Sequence, residues 1–402
     1  MIFKFSKMNI CLFWAVLTGV VMFPENGVAS NVGKRYPSEK HIIVDRVTGH
    51  LITVLTSSQY SDSKPSYSRR HSWTADGKWI LFNSNRGDNG QQVFVVNETT
   101  GDIIQLTDGQ VVAGRANLSS KEMKMFYMRV QQEKRQVVEL NIGSLIADSM
   151  NDQVKEPAAY ERIVTVLPHD YGQLSLDADE TYLYWGGHNK SETSSELFKI
   201  NIKTGKIDKI LDVAFQIGHL QANPWTPGEM FFCWETGGDA EQRTWTVRAD
   251  GTNFRPAYKE TPDEWVTHET VTGADELMFI ISGHTKFLRN KPSGIGAVNL
   301  RTNQMILLGQ TPEENTGEEG ITGGFWHCHG SPDGCWAVGD TFLGKIILIN
   351  RATGERTLLS AGHPMRPDHA HPTFSRDSKR ILFQSGLLTD GKNLNLMVVN
   401  IP

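Results

Sequence analysis

Apolar and polar positions alternate in short segments from about residue 42 to the end of the chain, with polar turns between them. One unit repeats: a turn of the type Ser/Thr-x-Asp-Gly, an apolar strand, a gap, a second apolar strand, a turn such as Thr-Gly, and a third strand. In one copy the turn Thr74-Ala75-Asp76-Gly77 precedes the segment Trp79-Ile80-Leu81-Phe82. Short apolar runs between turn residues are typical of β-strands, and these units lack the three- and four-residue spacing of amphipathic helices.

The turn signal recurs along the chain at intervals of about 45 to 60 residues, which is the spacing of propeller blades. The seven turns begin at Thr74, Ser119, Asp177, Thr226, Gly273, Ser331 and Ser375. We therefore predict an all-β fold, a seven-bladed β-propeller. The segment from Ile42 to Leu55 precedes the first turn, whereas the last unit stops after Asn400. We expect an N-terminal strand to complete the last blade, because such closure protects sheet edges.

The first thirty residues have the pattern of an export signal. Lys4 and Lys7 precede an apolar run from Ile10 to Phe23, and Val28-Ala29-Ser30 resembles a small-residue cleavage site. The run is shorter than the ~20 residues of a membrane span, and no other stretch approaches that length. We predict a signal peptide over residues 1–30, a single catalytic propeller domain over 31–402, no membrane insertion, and a periplasmic or secreted location.

Charge and cysteine content limit which ligands and which disulfides are expected. The chain has 40 Lys and Arg against 45 Asp and Glu, a formal net charge of −5. We therefore expect no nucleic-acid partner, since no strong basic field exists. Cys233, Cys328 and Cys335 follow the signal segment, so not all can pair internally. Cys328 and Cys335 flank a turn, and either a disulfide or free thiols fits this spacing.

Histidines are concentrated in two runs near the C-terminus. The first is Trp326-His327-Cys328-His329, and the second contains His369-Ala370-His371. Residues two apart in an extended segment face the same side, so His369 and His371 have the spacing of metal ligands. A third imidazole, from His327 or His329, would complete a site with open positions. These residues indicate a bound divalent metal.

Other candidates come from earlier blades and would meet at one mouth of the central channel, where propellers bind ligands. His219, His268, His327 and His369 each lie a few residues before a turn signal, so we expect them at corresponding innermost positions. Arg243, one blade before His268, is a further candidate functional residue. Four further residues, each ahead of a turn or strand of a blade, are candidates for binding substrate: Arg69, His71, His169 and His188.

Four of these motifs together resemble the oligogalacturonate lyase family, seven-bladed propellers that cleave short pectic uronides. They are Arg243-x-Trp245, Thr267-His268-Glu269, His327 ahead of Asp333, and His369-x-His371-Pro372. The similarity extends from about residue 45 to the end of the chain. It implies a divalent metal, manganese in the family, on His327, His369 and His371. It also implies that His268 is the proton-abstracting base and that Arg243 contacts the substrate. Zn²⁺ and Ca²⁺ are the other ions to consider.

Two departures from the family pattern affect these expectations. The family's fourth ligand is a glutamine three residues before the first histidine of the pair, and Arg366, which cannot ligate, stands there. Either Asp368, His363 or His329 substitutes, or the site binds its metal weakly. Family members are also commonly cytoplasmic, whereas this chain begins with an export signal.

The expected reaction is β-elimination of a uronate glycan, which removes the C5 proton and expels the C4 oxygen. A metal or arginine that neutralises the carboxylate stabilises the developing charge, and a neutral imidazole is a suitable base. Tyr171, His188 or water are candidates for the proton donor. Two alternatives remain at this stage: a propeller lyase for another uronic-acid polysaccharide such as ulvan, and a non-catalytic periplasmic propeller of the Tol-type binding class.

Overall fold

The structure, a computed structural model, describes residues 30–402 except 57–58, 65–71, 113–115, 189–192, 239, 263, 282–293 and 310–323. Seven antiparallel sheets make up the unit Asn31–Pro402. They are called blades 1 to 7, in the order in which their innermost strands occur along the chain. The predicted seven-bladed propeller is confirmed.

The strands of each blade are given from the innermost strand outward. Blade 1 has Asp62–Ser63, Trp79–Gly87, Gly90–Asn97, Ile103–Gln105 and Arg35–Tyr36; blade 2 has Asn117–Leu118, Lys124–Gln131, Lys134–Asn141 and Glu161–Val166; blade 3 has Gln173–Leu176, Tyr182–His188, Ser195–Asn201 and Ile207–Val213; blade 4 has Ile217–Ala222, Glu229–Trp234, Thr244–Arg248 and Arg255–Pro256. Blade 5 has Val266–Gly273, Glu276–Ile281, Gly294–Asn299 and Met305–Gly309; blade 6 has Phe325–Gly330, Trp336–Thr341, Ile346–Asn350 and Arg356–Ser360; blade 7 has Thr373–Phe374, Arg380–Ser385, Asn395–Asn400, Leu51–Val54 and His41–Val44.

The repeated turn signal is a hydrogen-bonded connection between the first two strands of a blade. In blade 6 the Ser331 hydroxyl donates to the Asp333 carboxylate at 2.5 Å and accepts from the backbone N–H of Trp336 at 2.9 Å. Ser375 makes the same pair of bonds in blade 7, to Asp377 and Arg380. Side-chain bonds of this kind replace backbone pairing in the turn, which is why the residue types recur.

Blade 7 closes the ring with strands from both ends of the unit. Leu51–Val54 pairs antiparallel with Asn395–Asn400, so that Ile52 lies opposite Val399. The expected closure by an N-terminal strand is confirmed. His41–Val44 adds a fifth strand outside it, and Arg35–Tyr36 does the same for blade 1. Both ends of the unit Asn31–Pro402 thereby contribute strands to sheets, and two blade edges are covered.

The core lies between adjacent blades. Phe82 and Phe94 of blade 1 pack against Leu396 and Val398 of blade 7, and all four are buried. Inner strands approach closely: a Cβ on Gly330 of blade 6 would lie 2.8 Å from the Cβ of Thr272 in blade 5. A glycine is required there because any side chain would push the inner strands apart.

One α-helix, Ile142–Met150, was not predicted from the sequence. It follows the third strand of blade 2, and the Asn141 side chain caps it by accepting from the N–H of Ser144. Within the described part of the chain, two single turns of 3₁₀-helix lie at Pro157–Ala159 and Leu387–Thr389. Across the described residues, every helix is too short or too polar to reach from one face of a membrane to the other.

Candidate functional site

Four successive blades place a histidine at the same position relative to the pairing of their first two strands. In each blade, one residue of the innermost strand pairs with the second residue of the adjacent strand. The histidine lies three residues before that paired residue. The residues there are His219, His268, His327 and His371, ahead of the pairs Ala222–Met230, Val271–Leu277, Gly330–Ala337 and Phe374–Ile381. In blade 7 this position is therefore occupied by His371, and His369 lies two residues earlier in the chain.

An irregular backbone aims these side chains. The pairing register shifts between Gly218 and Gln221 in blade 4 and between Thr267 and Thr270 in blade 5. His219, His268 and His371 have φ values of 45°, 53° and 47°. Left-handed backbone is unfavourable for a residue with a Cβ and persists where the surroundings impose it, commonly at functional sites. Bulges of this kind redirect a side chain out of the sheet.

The four imidazoles form a continuous arc. Ring centroids are 6.3 Å apart for His219 and His268, 4.4 Å for His268 and His327, and 3.8 Å for His327 and His371. The His369 ring lies 5.3 Å from that of His327 and perpendicular to it. The structure therefore brings together the three predicted metal ligands and the predicted base.

The ligand atoms of His327, Asp340 and His369 all lie within 4.8 Å of one another, close enough to hold a metal ion. Asp340 accepts from Nδ1 of His327 at 3.0 Å and from the backbone N–H of His371 at 2.9 Å. A carboxylate that binds one ring nitrogen fixes the tautomer and presents the other nitrogen to the metal. Asp340 thus orients two of the predicted ligands.

The chemistry of these donors fits a divalent ion. Burial, and after it His371 and His369, lower the pKa of His327 well below its ordinary value. Burial also lowers the pKa of His369. Neutral imidazoles are the form that ligates metals. Nδ1 of His369 is buried and finds no hydrogen-bond partner among the residues that the structure describes. An unsatisfied buried nitrogen in such a cluster suits coordination.

Asp368 is the substitute for the missing glutamine that the geometry favours. Its Oδ1 lies 3.3 Å from Nε2 of His371, near the ~3 Å between neighbouring ligands on an ion with bonds of about 2.1 Å. Burial raises the pKa of Asp368, but the hydrogen bond and charge of His371 outweigh it and lower the pKa to about 2. The carboxylate is therefore ionised.

The other two substitutes considered from the sequence have different surroundings. His363 is bonded through both ring nitrogens to the hydroxyls of Ser385 and Ser360, at 2.8 and 2.7 Å. His329 is buried and lies beside Phe374, 6.2 Å between centroids. Arg366 is exposed. Asp368 alone of these carries a contact to a predicted ligand.

A residue of blade 1 supports the segment Asp368–His371, which carries three of the candidate ligands and is called the ligand loop here. Lys64 is buried, its Nζ donates to the carbonyl of His371, and its backbone N–H donates to Oε1 of Gln384 at 2.9 Å. Gln384 in turn donates to Asp368 Oδ2 at 3.0 Å and to the carbonyl of His369 at 2.9 Å. Burial lowers the pKa of Lys64 to about 7. The first and last blades thus fix the ligand loop together.

His268 lies between the metal cluster and a charged network. Its Nδ1 donates to the carbonyl of Trp326, so the neutral ring carries its lone pair on Nε2. Burial, with the neighbouring His327 and His219, lowers its pKa well below the ordinary value. The side chain is partly exposed despite this desolvation. A neutral imidazole with a fixed tautomer is a competent proton acceptor.

The charged network contains Arg243, Glu269, Glu235 and His219. Nε of Arg243 lies 3.3 Å from Glu269 and its Nη2 lies 3.7 Å from Glu235. His219 contacts the same two carboxylates, Nδ1 to Glu269 at 3.1 Å and Nε2 to Glu235 at 3.7 Å. Burial raises the pKa of Glu269, but Arg243 and His219 outweigh burial and lower it well below its ordinary value. Glu269 is therefore a buried carboxylate.

The remaining predicted residues lie elsewhere or outside the described residues. His169 stacks on Tyr171 at 5.0 Å between centroids, and its Nε2 lies 3.4 Å from Glu196 in blade 3. Arg69 and His71 lie outside the described residues, as does the side chain of His188. Cys233, Cys328 and Cys335 are free thiols, so Cys328 and Cys335 do not form a disulfide.

Asp340, Lys64, Gln384 and Glu235 were not singled out from the sequence. Asp340 could have been noticed from the sequence, because it lies in a mostly apolar strand, Trp336–Thr341. Burying a carboxylate there is costly unless it has a function. Glu235 directly follows such a strand, Glu229–Trp234. Nothing comparable marks Lys64, since its role depends on contact between blades 1 and 7.

Comparison with known proteins identifies the family of this chain. Residues 30–291 match the family model described as oligogalacturonate lyase. The oligogalacturonate lyase of Dickeya dadantii (strain 3937) is 26% identical over 214 residues, 49% of this chain and 53% of that protein. The oligogalacturonide lyase of Pectobacterium atrosepticum is 24% identical over 210 residues, with the same shares. The matched stretch thus spans about half the length of these curated relatives.

Two solved structures match over a larger part of the chain. An oligogalacturonate lyase in complex with manganese has a TM-score of 0.76 at 21% identity, covering 92% of this chain and 98% of that one. An oligogalacturonate lyase from Vibrio parahaemolyticus has a TM-score of 0.74 at 19% identity, covering 92% and 99%. At this identity the likeness shows the shared propeller fold. The family match covers more than half of the chain and includes Arg243 and His268, and the chain belongs to the oligogalacturonate lyase family.

Proposed function

We propose that this protein is a metal-assisted lyase that cleaves oligogalacturonides by β-elimination to unsaturated uronides. The observation that carries the proposal is the placement of His268. Its ring lies 4.4 Å from that of His327 in the metal cluster, with Nδ1 bound to a carbonyl and with a lowered pKa. A proton acceptor is thus held beside the ion that would bind the substrate carboxylate.

His327, His369, His371 and Asp368 would hold the metal. Manganese is the first choice, because a solved structure with the same fold is an oligogalacturonate lyase in complex with manganese. The bound ion would neutralise the substrate carboxylate and so make the proton at the neighbouring carbon easier to remove. One carboxylate and three imidazoles would leave open positions for that substrate group.

His268 would take the C5 proton on Nε2. The electrons of the C–H bond then form the C4–C5 double bond, and the bond from C4 to the glycosidic oxygen breaks. General-base catalysis of this kind contributes ~10²–10⁴-fold. Donation from Nδ1 to the Trp326 carbonyl keeps the acceptor nitrogen free of a competing proton and fixes the ring orientation.

Arg243 would contact the substrate carboxylate through guanidinium nitrogens that Glu269 does not occupy. Nε faces Glu269, and the side chain is 4% exposed. Glu269 raises the pKa of Arg243 above its ordinary value, against the lowering effect of burial. The guanidinium is therefore charged and fixed in orientation before substrate arrives, which reduces the ordering cost of binding.

We also propose that the substrate is met outside the cytoplasm, since residues 1–30 have the pattern of an export signal ahead of the single catalytic domain. The family match favours an oligogalacturonide over ulvan and over the Tol-type binding alternative. The partly exposed stack of His169 and Tyr171 in blade 3 is a candidate surface for a distal sugar ring.

A substrate panel tests this proposal. Purified protein is loaded with manganese and incubated with di- and trigalacturonate, polygalacturonate and ulvan oligosaccharides, and the ultraviolet absorbance of unsaturated product is followed. We expect product from the short galacturonides. Product from ulvan alone would assign the protein to the other lyase class, and absence of product from every uronate would support a binding protein.

A further inference from the structure

Elimination requires a proton for the departing oxygen, and the arrangement around His219 is suited to supply it. His219 occupies the position of blade 4 that His268 occupies in blade 5, with the same left-handed backbone. The two rings lie 6.3 Å apart at an interplanar angle of 21°. Two imidazoles at this separation can address two neighbouring substrate atoms, one as acceptor and one as donor.

The surroundings of the two rings are of opposite kinds. His268 donates from Nδ1 to the carbonyl of Trp326 and lies beside the imidazoles of His327 and His219. His219 faces two carboxylates, Glu269 on Nδ1 at 3.1 Å and Glu235 near Nε2 at 3.7 Å. A carboxylate oxygen near each ring nitrogen can accept an N–H hydrogen bond, so both nitrogens can carry a proton. Different environments for two similar groups are what separates an acid from a base within one active site.

A second metal ion is a weaker interpretation of this cluster. His219, Cys233 and Glu235 are close enough to hold one. However, Nη2 of Arg243 lies 3.7 Å from Glu235, so a fixed cation already faces this carboxylate. Burial raises the pKa of the Cys233 thiol well above its ordinary value, which keeps the sulfur protonated and a poor ligand.

We propose that His219 is the proton donor to the leaving glycosidic oxygen, with Glu269 and Glu235 holding the imidazolium. This inference rests on the proposed lyase function. As the bond from C4 breaks, the oxygen keeps the electron pair and takes the Nε2 proton of His219, while His268 holds the proton from C5. One proton must then pass from His268 to His219 through solvent before the next turnover, and no other reactant is consumed.

Among the donors considered from the sequence, Tyr171 lies in a different setting. Its hydroxyl donates to Glu196 at 3.2 Å, within the stack of blade 3. His219 is preferred because it belongs to the same arc as the base and because Glu269 binds both His219 and Arg243.

The test compares leaving groups. A short oligogalacturonide expels a sugar alkoxide, which needs a proton, whereas a 4-deoxy-4-fluoro galacturonide expels fluoride, which does not. We expect His219→Gln to lose ~10²-fold or more of kcat on the oligogalacturonide and less than about tenfold on the fluoride substrate. His268→Gln should lose activity on both, since both need removal of the C5 proton. His41→Gln, an exposed histidine of blade 7, is the matched control and should lose none.

Equal losses by His219→Gln on the two substrates, or no loss on the oligogalacturonide, would overturn the assignment. Rates are expressed per folded molecule from thermal melts of the same preparations. Glu235→Gln is the second variant, because its partly exposed side chain tolerates the change, and it should show a smaller loss confined to the oligogalacturonide. A wild-type protein that forms no unsaturated product from either substrate would instead overturn the proposed function.

Discussion

Asp340 accepts a hydrogen bond from His327, with 3.0 Å between Nδ1 of the histidine and Oδ2 of the aspartate. The same oxygen accepts the backbone N–H of His371 at 2.9 Å, so one carboxylate positions ligands from two blades. Asp340→Asn keeps the shape but offers an amide in place of a carboxylate. We expect metal affinity to fall ~10–100-fold, measured by titration with Mn²⁺. Asp208→Asn, on the outer strand of blade 3, is the control, and equal affinity in both variants would contradict the orienting role.

Asp368 is assigned as the fourth ligand, and two substitutions separate coordination from packing. Asp368→Asn retains an oxygen donor without the charge, and Asp368→Ala removes the donor. Affinity for Mn²⁺ should therefore decrease from wild type to Asn to Ala, because a charged oxygen is the strongest donor of the three to a hard cation. Unchanged metal content in Asp368→Ala after dialysis would show that the ion is held without it.

Gln384 connects the ligand loop to blade 1 through Lys64. Gln384→Met keeps the length of the side chain but leaves the backbone N–H of Lys64 and the oxygens of Asp368 and His369 without this partner. We expect a loss of ~1–3 kcal/mol in the free energy of unfolding and ~10-fold weaker metal binding. Urea unfolding and Mn²⁺ titration measure the two effects. Gln153→Met, in an exposed loop, should change neither.

His363 provides a pH dependence of stability that can be separated from metal binding. Burial lowers its pKa to about 4 from an ordinary value of 6.5. The unfolded chain therefore binds more protons than the folded protein between these two values, and stability falls as the pH decreases from about 6.5 to about 4. For one such residue the loss is roughly 3 kcal/mol at most.

Urea unfolding of metal-free protein at several pH values measures this slope. His363→Gln, which can still bond to Ser360 and Ser385, should flatten it, whereas His41→Gln should not. A slope equal to that of wild type in the His363 variant would show that other groups control the acid sensitivity.

The propeller and the phase of its histidines could be predicted because they depend on local signals. Each Ser/Thr-x-Asp-Gly turn marks the end of an innermost strand, so counting back from it locates His268 and His327 in the channel. In blade 7 the sequence-based choice was His369. His371 lies four residues before Ser375, as His327 lies four residues before Ser331, and the register gives His371 the equivalent position.

The supporting residues could not be predicted, for a physical reason. Lys64 and Gln384 act through contact between blades 1 and 7, and Asp340 binds both His327 of its own blade and His371 of blade 7. Such contacts depend on how blades pack around the axis, which no local pattern in one sequence records. The helix Ile142–Met150 was missed because it is a single insertion outside the repeated unit.

The central claim is that His268 abstracts a proton beside a metal-bound uronate. The direct measurement is turnover of a short oligogalacturonide by His268→Gln, with metal content and melting temperature determined on the same preparation. The account predicts a loss of ~10²-fold or more in kcat with metal content and folding retained, because only a transition-state interaction is removed. A variant that melts at a lower temperature but turns over at nearly the wild-type rate per folded molecule would contradict it.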